Sequence, residues 1–343
     1  MYQQFREKLK QLILMKLGDA MCRGELRRVL MKVNPSESLV NTLSNVSSPY
    51  QDHVACDSAA NSPSIRDDIV FITGRFRSGS TMLWSIFRQL EGFTAYYEPF
   101  NERRWFDSGF RGDRVDGSHL NVADYWREYD GCSELADYYD EDWIRYGLYM
   151  DEASYNFKMK RYIELLIDQA KGRPVLQFNR IDFRLPWVKA NFPNAKILHI
   201  FRNPRDQWCS FIGKREDFPL TDKSVFRDRF YLDIWATDLE RVFPFLSKEL
   251  APHPYQRFYL LWKLSYIFGR KYADYSVAME VFTNNVDKEM QCINELLGGG
   301  VLASMSDIVI PQTEGKWREY VDEDWFYQHE IYCESILRDF FIA

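Results

Sequence analysis

The chain has 343 residues, of which 46% are hydrophobic and 16% aromatic, so it can bury a sizeable core. Its net charge of −6 argues against a general nucleic-acid binder, and any basic site has to be local. The six cysteines are scattered without a C-x-x-C pair, so we expect neither a zinc site nor a disulfide framework. Because no apolar run is long enough to span a bilayer and the N-terminus lacks the apolar core of an export signal, we expect a cytoplasmic protein.

The N-terminal region differs in composition from the rest of the chain. Residues 1–32 predict a helix with apolar side chains on one face and many Lys and Arg residues elsewhere. Such a helix packs on the main domain or on a neighbouring subunit, or it lies on an anionic membrane surface. Residues 34–64 are rich in Ser, Asn, Pro and Asp and predict a linker. We therefore divide the chain into an N-terminal extension, 1–66, and one folded domain, 67–343.

A predicted strand from Ile69 to Thr73 leads into the turn GRFRSGST, residues 74–81, and then into a helix. This order predicts a phosphate cradle, because N–H groups at a helix start lack helical partners and the helix dipole favours negative charge. The turn is similar to the P-loop G-x-x-x-x-G-K-[ST], but Ser80 stands where the lysine belongs. The positive charge lies at Arg77 instead, with Arg75 nearby. This change favours a nucleotide whose single 5′-phosphate carries a transferable group over a triphosphate.

Further apolar segments predict strands that alternate with helices. Residues 105–160 are rich in Tyr, Trp, Asp and Arg, contain no clear strand, and predict a cap of helices and loops over one edge of the sheet. The alternation predicts an α/β fold, a single P-loop-like domain with a central parallel sheet flanked by helices. The additional predicted strands are Phe93 to Tyr97, Val175 to Asn179, Ala195 to Phe201 and Ser276 to Phe282, and predicted helices include 182–192, 286–297 and much of 226–270.

Polar residues follow two of these strands directly. Glu98 ends the second strand, and Arg202 follows the strand AKILHIF, with Ser210 eight positions later on the next helix. Ligands of open α/β sheets bind beyond the carboxyl ends of the strands, so these side chains are expected near the glycine turn. His199, within the strand itself, is interpreted as a core residue.

The segments RSGST, from Arg77 to Thr81, and RNPRDQWCS, from Arg202 to Ser210, together resemble the sulfotransferase family. Members of that family use 3′-phosphoadenosine 5′-phosphosulfate (PAPS). A third segment, Gly315 to Arg318, is similar to a short C-terminal Gly-x-Trp-Arg segment of bacterial members. The resemblance covers about Asp67 to Tyr320.

The resemblance implies a role for each matching residue. Arg77 is expected to stabilise the negative charge that builds on the leaving oxygen, and Glu98 to take the proton of the acceptor hydroxyl. Alternatively, Glu98 pairs with Arg103 or Arg104, and His119 in the cap is a rival base. No metal is expected. The residues expected to bind PAPS or its product PAP are Arg75, Arg77, Ser78, Gly79, Ser80, Thr81, Arg202, Ser210, Lys316, Trp317 and Arg318.

We therefore predict an enzyme that moves the sulfuryl group of PAPS to an acceptor hydroxyl on a sugar or a secondary metabolite. The acceptor is a small molecule or a glycan, and the partners do not include nucleic acid. Two alternatives stay open. One is a P-loop-type small-molecule kinase, which needs a lysine in the loop and magnesium ligands, and the other is a non-catalytic PAP-binding module.

Overall fold

The computed structural model describes residues 66–115, 122–213, 226–299 and 314–342, together with Lys16. Apart from Lys16, these residues belong to one compact unit of the chain, 64–343. The helix predicted over 1–32, except Lys16, and the linker predicted over 34–64 lie outside the described residues, as does His119. Within the described residues, no helix is both long enough and apolar enough to cross a membrane.

Five parallel strands form the central sheet in the order β2-β3-β1-β4-β5, which confirms the predicted fold class. Strand β1 lies in the middle, with Val70 opposite Val175 of β3 on one side and Lys196 of β4 on the other. All four residues of β1 are buried, as expected for a parallel sheet covered on both faces. The strands are β1 (Val70–Thr73), β2 (Phe93–Tyr97), β3 (Arg173–Phe178), β4 (Lys196–Phe201) and β5 (Tyr275–Ala278).

Helices connect and cover these strands. Short 3-10 segments, of which the last spans Lys316–Glu319, lie between several of them. The predicted helices after β1, β3 and β4 are confirmed. The α-helices are α1 (Ser80–Gln89), α2 (Leu135–Tyr138), α3 (Phe157–Gln169), α4 (Leu185–Asn191), α5 (Pro204–Ile212), α6 (Leu232–Leu239), α7 (Pro254–Tyr272), α8 (Met279–Asn284), α9 (Val286–Leu296) and α10 (Glu323–Ile342).

The strand order creates a crevice at the carboxyl ends of β1 and β4. The chain leaves β1 towards β2 on one side of the sheet, whereas it leaves β4 towards β5 on the other. Connections that diverge from two neighbouring strands leave an opening between them, which is where open α/β sheets bind ligands. The turn after β1 and the turn after β4 therefore face the same opening.

The prediction of a strand from Ser276 to Phe282 was wrong in its second half. Strand β5 ends at Ala278, which pairs with Phe201 at the end of β4, and Met279 already begins α8. A short apolar run fits a buried strand and a buried helix turn equally well, so periodicity alone does not mark the change. The change puts the Met279 side chain against Gly79 of the glycine turn.

Candidate active site

Two glycines shape the turn between β1 and α1. A Cβ atom on Gly74 would lie 2.5 Å from the carbonyl oxygen of Ile200 and 2.6 Å from Oγ of Ser78, so only glycine lets the turn press against β4. Gly79 has a φ of 99° and directly precedes α1. The first N–H groups of α1 lack partners within the helix, so this helix end attracts an anion.

A cavity of about 340 Å³, here called the central cavity, lies beside this turn. It brings together residues from the ends of β1, β2, β3 and β4. The predicted site residues that line it are Arg77, Gly79, Ser80, Thr81, Glu98, Arg202 and Ser210. The other lining residues are Phe76, Met82, Tyr97, Asn101, Glu102, Asn179, Arg180, Arg229, Phe230, Tyr231 and Met279.

Arg77 and Ser210 join the two predicted nucleotide-binding segments. The Nε atom of Arg77 donates a hydrogen bond to Oγ of Ser210 at 2.9 Å. Arg202 lines the same cavity and is buried, and burial lowers the pKa of its guanidinium although Asp206 partly opposes this shift. Neither Arg77 nor Arg202 forms an ion pair with a carboxylate in the described parts of the chain. Two cationic side chains thus face one cavity, which suits a ligand with two anionic groups.

Glu98 also lines the central cavity, and its carboxylate is held by three donors. Nη1 of Arg180 and Nδ2 of Asn101 both donate to Oε2 at 2.7 Å, and Nδ2 of Asn179 donates to Oε1. The expected alternative partners are elsewhere. Arg103 donates to the carbonyl oxygen of Arg114, and Arg104 donates to Glu141.

The backbone is strained at both predicted catalytic residues. Arg77 has a φ of 68° and Glu98 a φ of 39°, in the left-handed region that side chains other than glycine rarely adopt. Such strain costs on the order of 1–3 kcal/mol and persists only where the surrounding structure compensates, as it does at many functional sites.

The hydroxyl of Ser80 is used within the protein. It donates to Oδ1 of Asn179 at 2.8 Å and accepts from Nε2 of Gln177 at 3.1 Å, and Asn179 in turn donates to Glu98. Ser80 therefore offers a ligand its backbone N–H rather than its hydroxyl proton. The hydroxyl also starts a buried chain of hydrogen bonds that links the glycine turn to Glu98.

The predicted binding residues Arg75, Ser78 and Lys316 do not line the central cavity. The guanidinium of Arg75 is packed 4.6 Å from the ring centre of Trp235, and burial lowers its pKa to about 10. Ser78 is buried inside the turn, and Lys316 is exposed. For Arg75, the structure supports a packing role beneath the turn.

The segment from Gly315 to Arg318 is attached to the start of α5. The backbone N–H groups of Gly315 and Trp317 donate to the carboxylate of Asp206 at 2.9 and 3.3 Å. Arg318 and the buried Trp317 line a second cavity of about 440 Å³, here called the side cavity, and Arg202 lines both cavities. The segment from Gly315 to Arg318 and the segment that begins at Arg202 therefore both line the side cavity.

Our sequence reasoning missed Asn179 and Arg180. Both follow β3 directly, as Glu98 follows β2, so the same position rule would have found them. None of the described histidines, which are His199, His253 and His329, lines either cavity. His199 is buried and its Nδ1 pairs with Oγ of Ser276 at 2.8 Å, which confirms it as a core residue. Among the described residues, no group of three or more His, Cys, Asp and Glu side chains is arranged to hold a metal ion.

The fold and the site together define an α/β protein in which a glycine turn at a helix start and two arginines face one cavity. A model of the sulfotransferase family matches residues 69–260, which is more than half of the chain. The chain belongs to the sulfotransferase family and is a transferase.

Three solved structures are similar to this chain. A sulfotransferase from Alicyclobacillus acidocaldarius is 18% identical, covers 78% of this chain and 95% of its own, and has a TM-score of 0.36. Sulfotransferase STF9 from Mycobacterium avium is 14% identical, covers 81% and 78%, and has a TM-score of 0.41. The sulfotransferase domain of the Synechococcus PCC 7002 olefin synthase is 17% identical, covers 78% and 86%, and has a TM-score of 0.33. A search of the curated proteins gave no match.

Proposed function

We propose that this enzyme transfers the sulfuryl group of PAPS to a hydroxyl group of a sugar or a secondary metabolite. The observation that carries the proposal is the meeting of Arg77, Ser210 and Arg202 at one cavity. PAPS has a 5′-phosphosulfate and a separate 3′-phosphate, and the cavity offers a helix start for one and a buried arginine for the other. These residues suit that donor better than a triphosphate, because Ser80 replaces the P-loop lysine.

Arg77 is the residue that we assign to the leaving group. As the S–O bond to the nucleotide breaks, negative charge grows on the bridging oxygen, and a fixed guanidinium stabilises it more in the transition state than in the ground state. Arginine keeps its proton at all relevant pH values, so the stabilisation is electrostatic. The hydrogen bond from Nε to Ser210 fixes the side chain on the side of the cavity where Arg202 lies.

Glu98 is the residue that we assign to the acceptor. It lines the same cavity as Arg77, and its carboxylate is buried and oriented by hydrogen bonds. In the reaction, one S–O bond forms to the acceptor oxygen while the S–O bond to the nucleotide breaks. Glu98 takes the proton of the acceptor hydroxyl, and PAP leaves with the electron pair of the broken S–O bond.

Residues 105–160 are proposed as the cap on the acceptor side of a domain that spans 67–343. Two described tyrosines of this region hold the segment around Glu98. Tyr129 donates to the carbonyl oxygen of Tyr97 at 2.9 Å, and Tyr139 donates to that of Asn101 at 2.9 Å. Aromatic side chains in the cavity wall, among them Phe230 and Tyr231, suit the face of a sugar or another ring. We keep the cytoplasm as the proposed location.

Calorimetry with PAP and with ATP tests the donor part of the proposal. We expect the enzyme to bind PAP clearly more tightly than ATP, and a preference for ATP would favour the kinase alternative and overturn the proposal. Transfer from ³⁵S-labelled PAPS to a panel of sugars and phenols tests the reaction. Glu98→Gln should bind PAP normally and lose roughly 10²–10⁴-fold in turnover. Tight PAP binding without transfer to any acceptor would favour a non-catalytic PAP-binding module.

A further inference from the structure

Arg180 connects the carboxylate of Glu98 to a second carboxylate at the mouth of the central cavity. Its Nη1 atom donates to Glu98, and its Nη2 atom donates to Oε2 of Glu102 at 2.8 Å. The side chains of Arg180 and Glu98 are 2% and 6% exposed, whereas that of Glu102 is 41% exposed. Arg180 therefore lies between a buried acid and one that reaches solvent.

The environment of Arg180 keeps it charged and fixed in place. Burial alone would lower the pKa of its guanidinium, but the carboxylates of Glu98 and Glu102 outweigh burial and raise it. The guanidinium packs 5.0 Å from the ring centre of Phe76 and 5.8 Å from that of Tyr231. Phe76 precedes Arg77 in the glycine turn, so the turn that holds Arg77 also packs against Arg180.

We propose that Arg180 is a positioning residue for sulfuryl transfer, which orients the Glu98 carboxylate towards the acceptor hydroxyl through its ion pair. This inference rests on the proposed function, in which Glu98 is the base. A base must lie within hydrogen-bond reach of the proton that it takes, and a displacement of about 1 Å can cost on the order of a hundredfold in rate. The single bond from Cγ to Cδ would let the carboxylate turn if no partner held it. Asn179 holds Oε1 while Arg180 and Asn101 hold Oε2, and Arg180 is the charged donor among the three.

The test is a double-mutant cycle of Arg180→Gln and Glu98→Gln, measured as turnover with saturating PAPS. We expect Arg180→Gln to lower turnover roughly 10- to 100-fold and to leave PAP affinity within about twofold. In the Glu98→Gln background the same change should cost almost nothing, because its effect passes through Glu98. Equal losses in both backgrounds would show that Arg180 acts on its own, and a large loss of PAP affinity would place it in the nucleotide site. Either result would overturn the inference.

Rescue by a conservative variant adds a readout that a loss of stability does not give. Arg180→Lys keeps a positive charge beside Glu98 but lacks the rigid fork that reaches both carboxylates, so it should recover part of the turnover that Arg180→Gln loses. Turnover of Arg180→Lys no higher than that of Arg180→Gln would contradict the inference. Arg184→Gln is the matched control. Arg184 is buried four residues away but donates only to backbone carbonyl groups among its described contacts, so its loss should lower stability and cost much less turnover than Arg180→Gln.

A second measurement separates this inference from the proposed function. The side-chain carboxyl group of Glu98 is followed by NMR in protein labelled with ¹³C at glutamate Cδ and assigned by its loss in Glu98→Gln. In Arg180→Gln its resonance should move from the wild-type position at a fixed pH, whether or not an acceptor is known, because the carboxylate loses its charged donor. An unchanged resonance in a folded variant would overturn the inference, whereas absence of sulfate transfer by the wild-type enzyme would overturn only the proposed function.

Discussion

The Nε atom of Arg77 donates a hydrogen bond to Oγ of Ser210 across 133 positions of the chain. The two residues follow β1 and β4, which are neighbours in the sheet, so their turns share one opening. Arg202 lines the same cavity as these two residues. The proposed nucleotide site therefore depends on two sequence segments, and each segment can be tested separately.

Loss of Arg202 should weaken PAP binding more than about tenfold. A hydrogen bond from a charged group contributes roughly 1.5–3 kcal/mol, and each 1.4 kcal/mol corresponds to about a tenfold change in affinity. Calorimetry on Arg202→Ala measures the change. Lys189→Ala is the control, because Lys189 pairs with Asp274 away from the cavities. Similar PAP affinities for Arg202→Ala and the wild-type enzyme would show that the 3′-phosphate binds elsewhere.

Gly74→Ala should destabilise the protein and weaken PAP binding together. A methyl group there would press on the carbonyl oxygen of Ile200 at 2.5 Å, and forcing β1 and β4 apart costs about 1–3 kcal/mol. Chemical denaturation and calorimetry report the two effects. In Gly109→Ala, the added Cβ would lie 3.4 Å from its nearest neighbour, a side-chain oxygen of Asp107. That control should change the free energy of unfolding by less than about 0.5 kcal/mol. Unchanged stability and unchanged PAP affinity in Gly74→Ala would show that the turn accommodates the added methyl group.

Sequence patterns predicted the sheet well because β1 and β4 are continuous apolar runs bounded by turns, and burial on both faces requires that pattern. The position of Arg202 and Ser210 near the glycine turn followed from the same logic, since residues after parallel strands meet at one edge, whereas the hydrogen bond from Arg77 to Ser210 was not predicted. Strand β5 was overextended because its helical continuation from Met279 is equally apolar.

The partner of Glu98 could not be predicted from local sequence. Arg103 and Arg104 are its nearest basic neighbours in the chain, yet the ion pair forms with Arg180, 82 positions away. The turn after β2 directs the two nearer arginines away, and β3 places Arg180 beside Glu98 because β2 and β3 are paired. Which of several arginines pairs with a carboxylate is decided by the strand order and not by the spacing in the sequence.

His199 should make the protein less stable as the pH falls. Burial lowers the pKa of this imidazole from 6.5 to about 4. Between those pH values the imidazole is protonated in the unfolded chain and neutral in the folded protein. Stability is therefore lost from about pH 6.5 downwards, by roughly 3 kcal/mol in full. His199→Asn should be less stable than the wild-type protein near neutral pH, because the imidazole ring fills the space beside Gly269. Between about pH 7.5 and about pH 5, however, the variant should lose less free energy of unfolding than the wild-type protein does. Urea unfolding at both pH values measures this, and equal losses in the two proteins would contradict it.

Arg318 and Lys316 lie two positions apart, and their contributions to PAP binding should differ. Arg318 lines the side cavity together with Arg202, whereas Lys316 is exposed and lines neither cavity. The short 3-10 segment that carries both residues is held by Asp206, which precedes the proposed nucleotide-binding residue Ser210 on the same helix.

A guanidinium beside Arg202 shares the attraction for a phosphate, so Arg318→Ala should weaken PAP binding several-fold, by about 1 kcal/mol for an exposed charge. Lys316→Ala should leave affinity within about twofold. Because both variants remove one positive charge, a general change in protein charge affects them equally and cancels in the comparison. Raising the salt concentration should reduce the difference between the variants if it is electrostatic. An equal loss of PAP affinity in both variants would show that the segment moves on binding so that Lys316 also reaches the nucleotide. Unchanged affinity in both variants would show that the segment does not contribute to PAP binding.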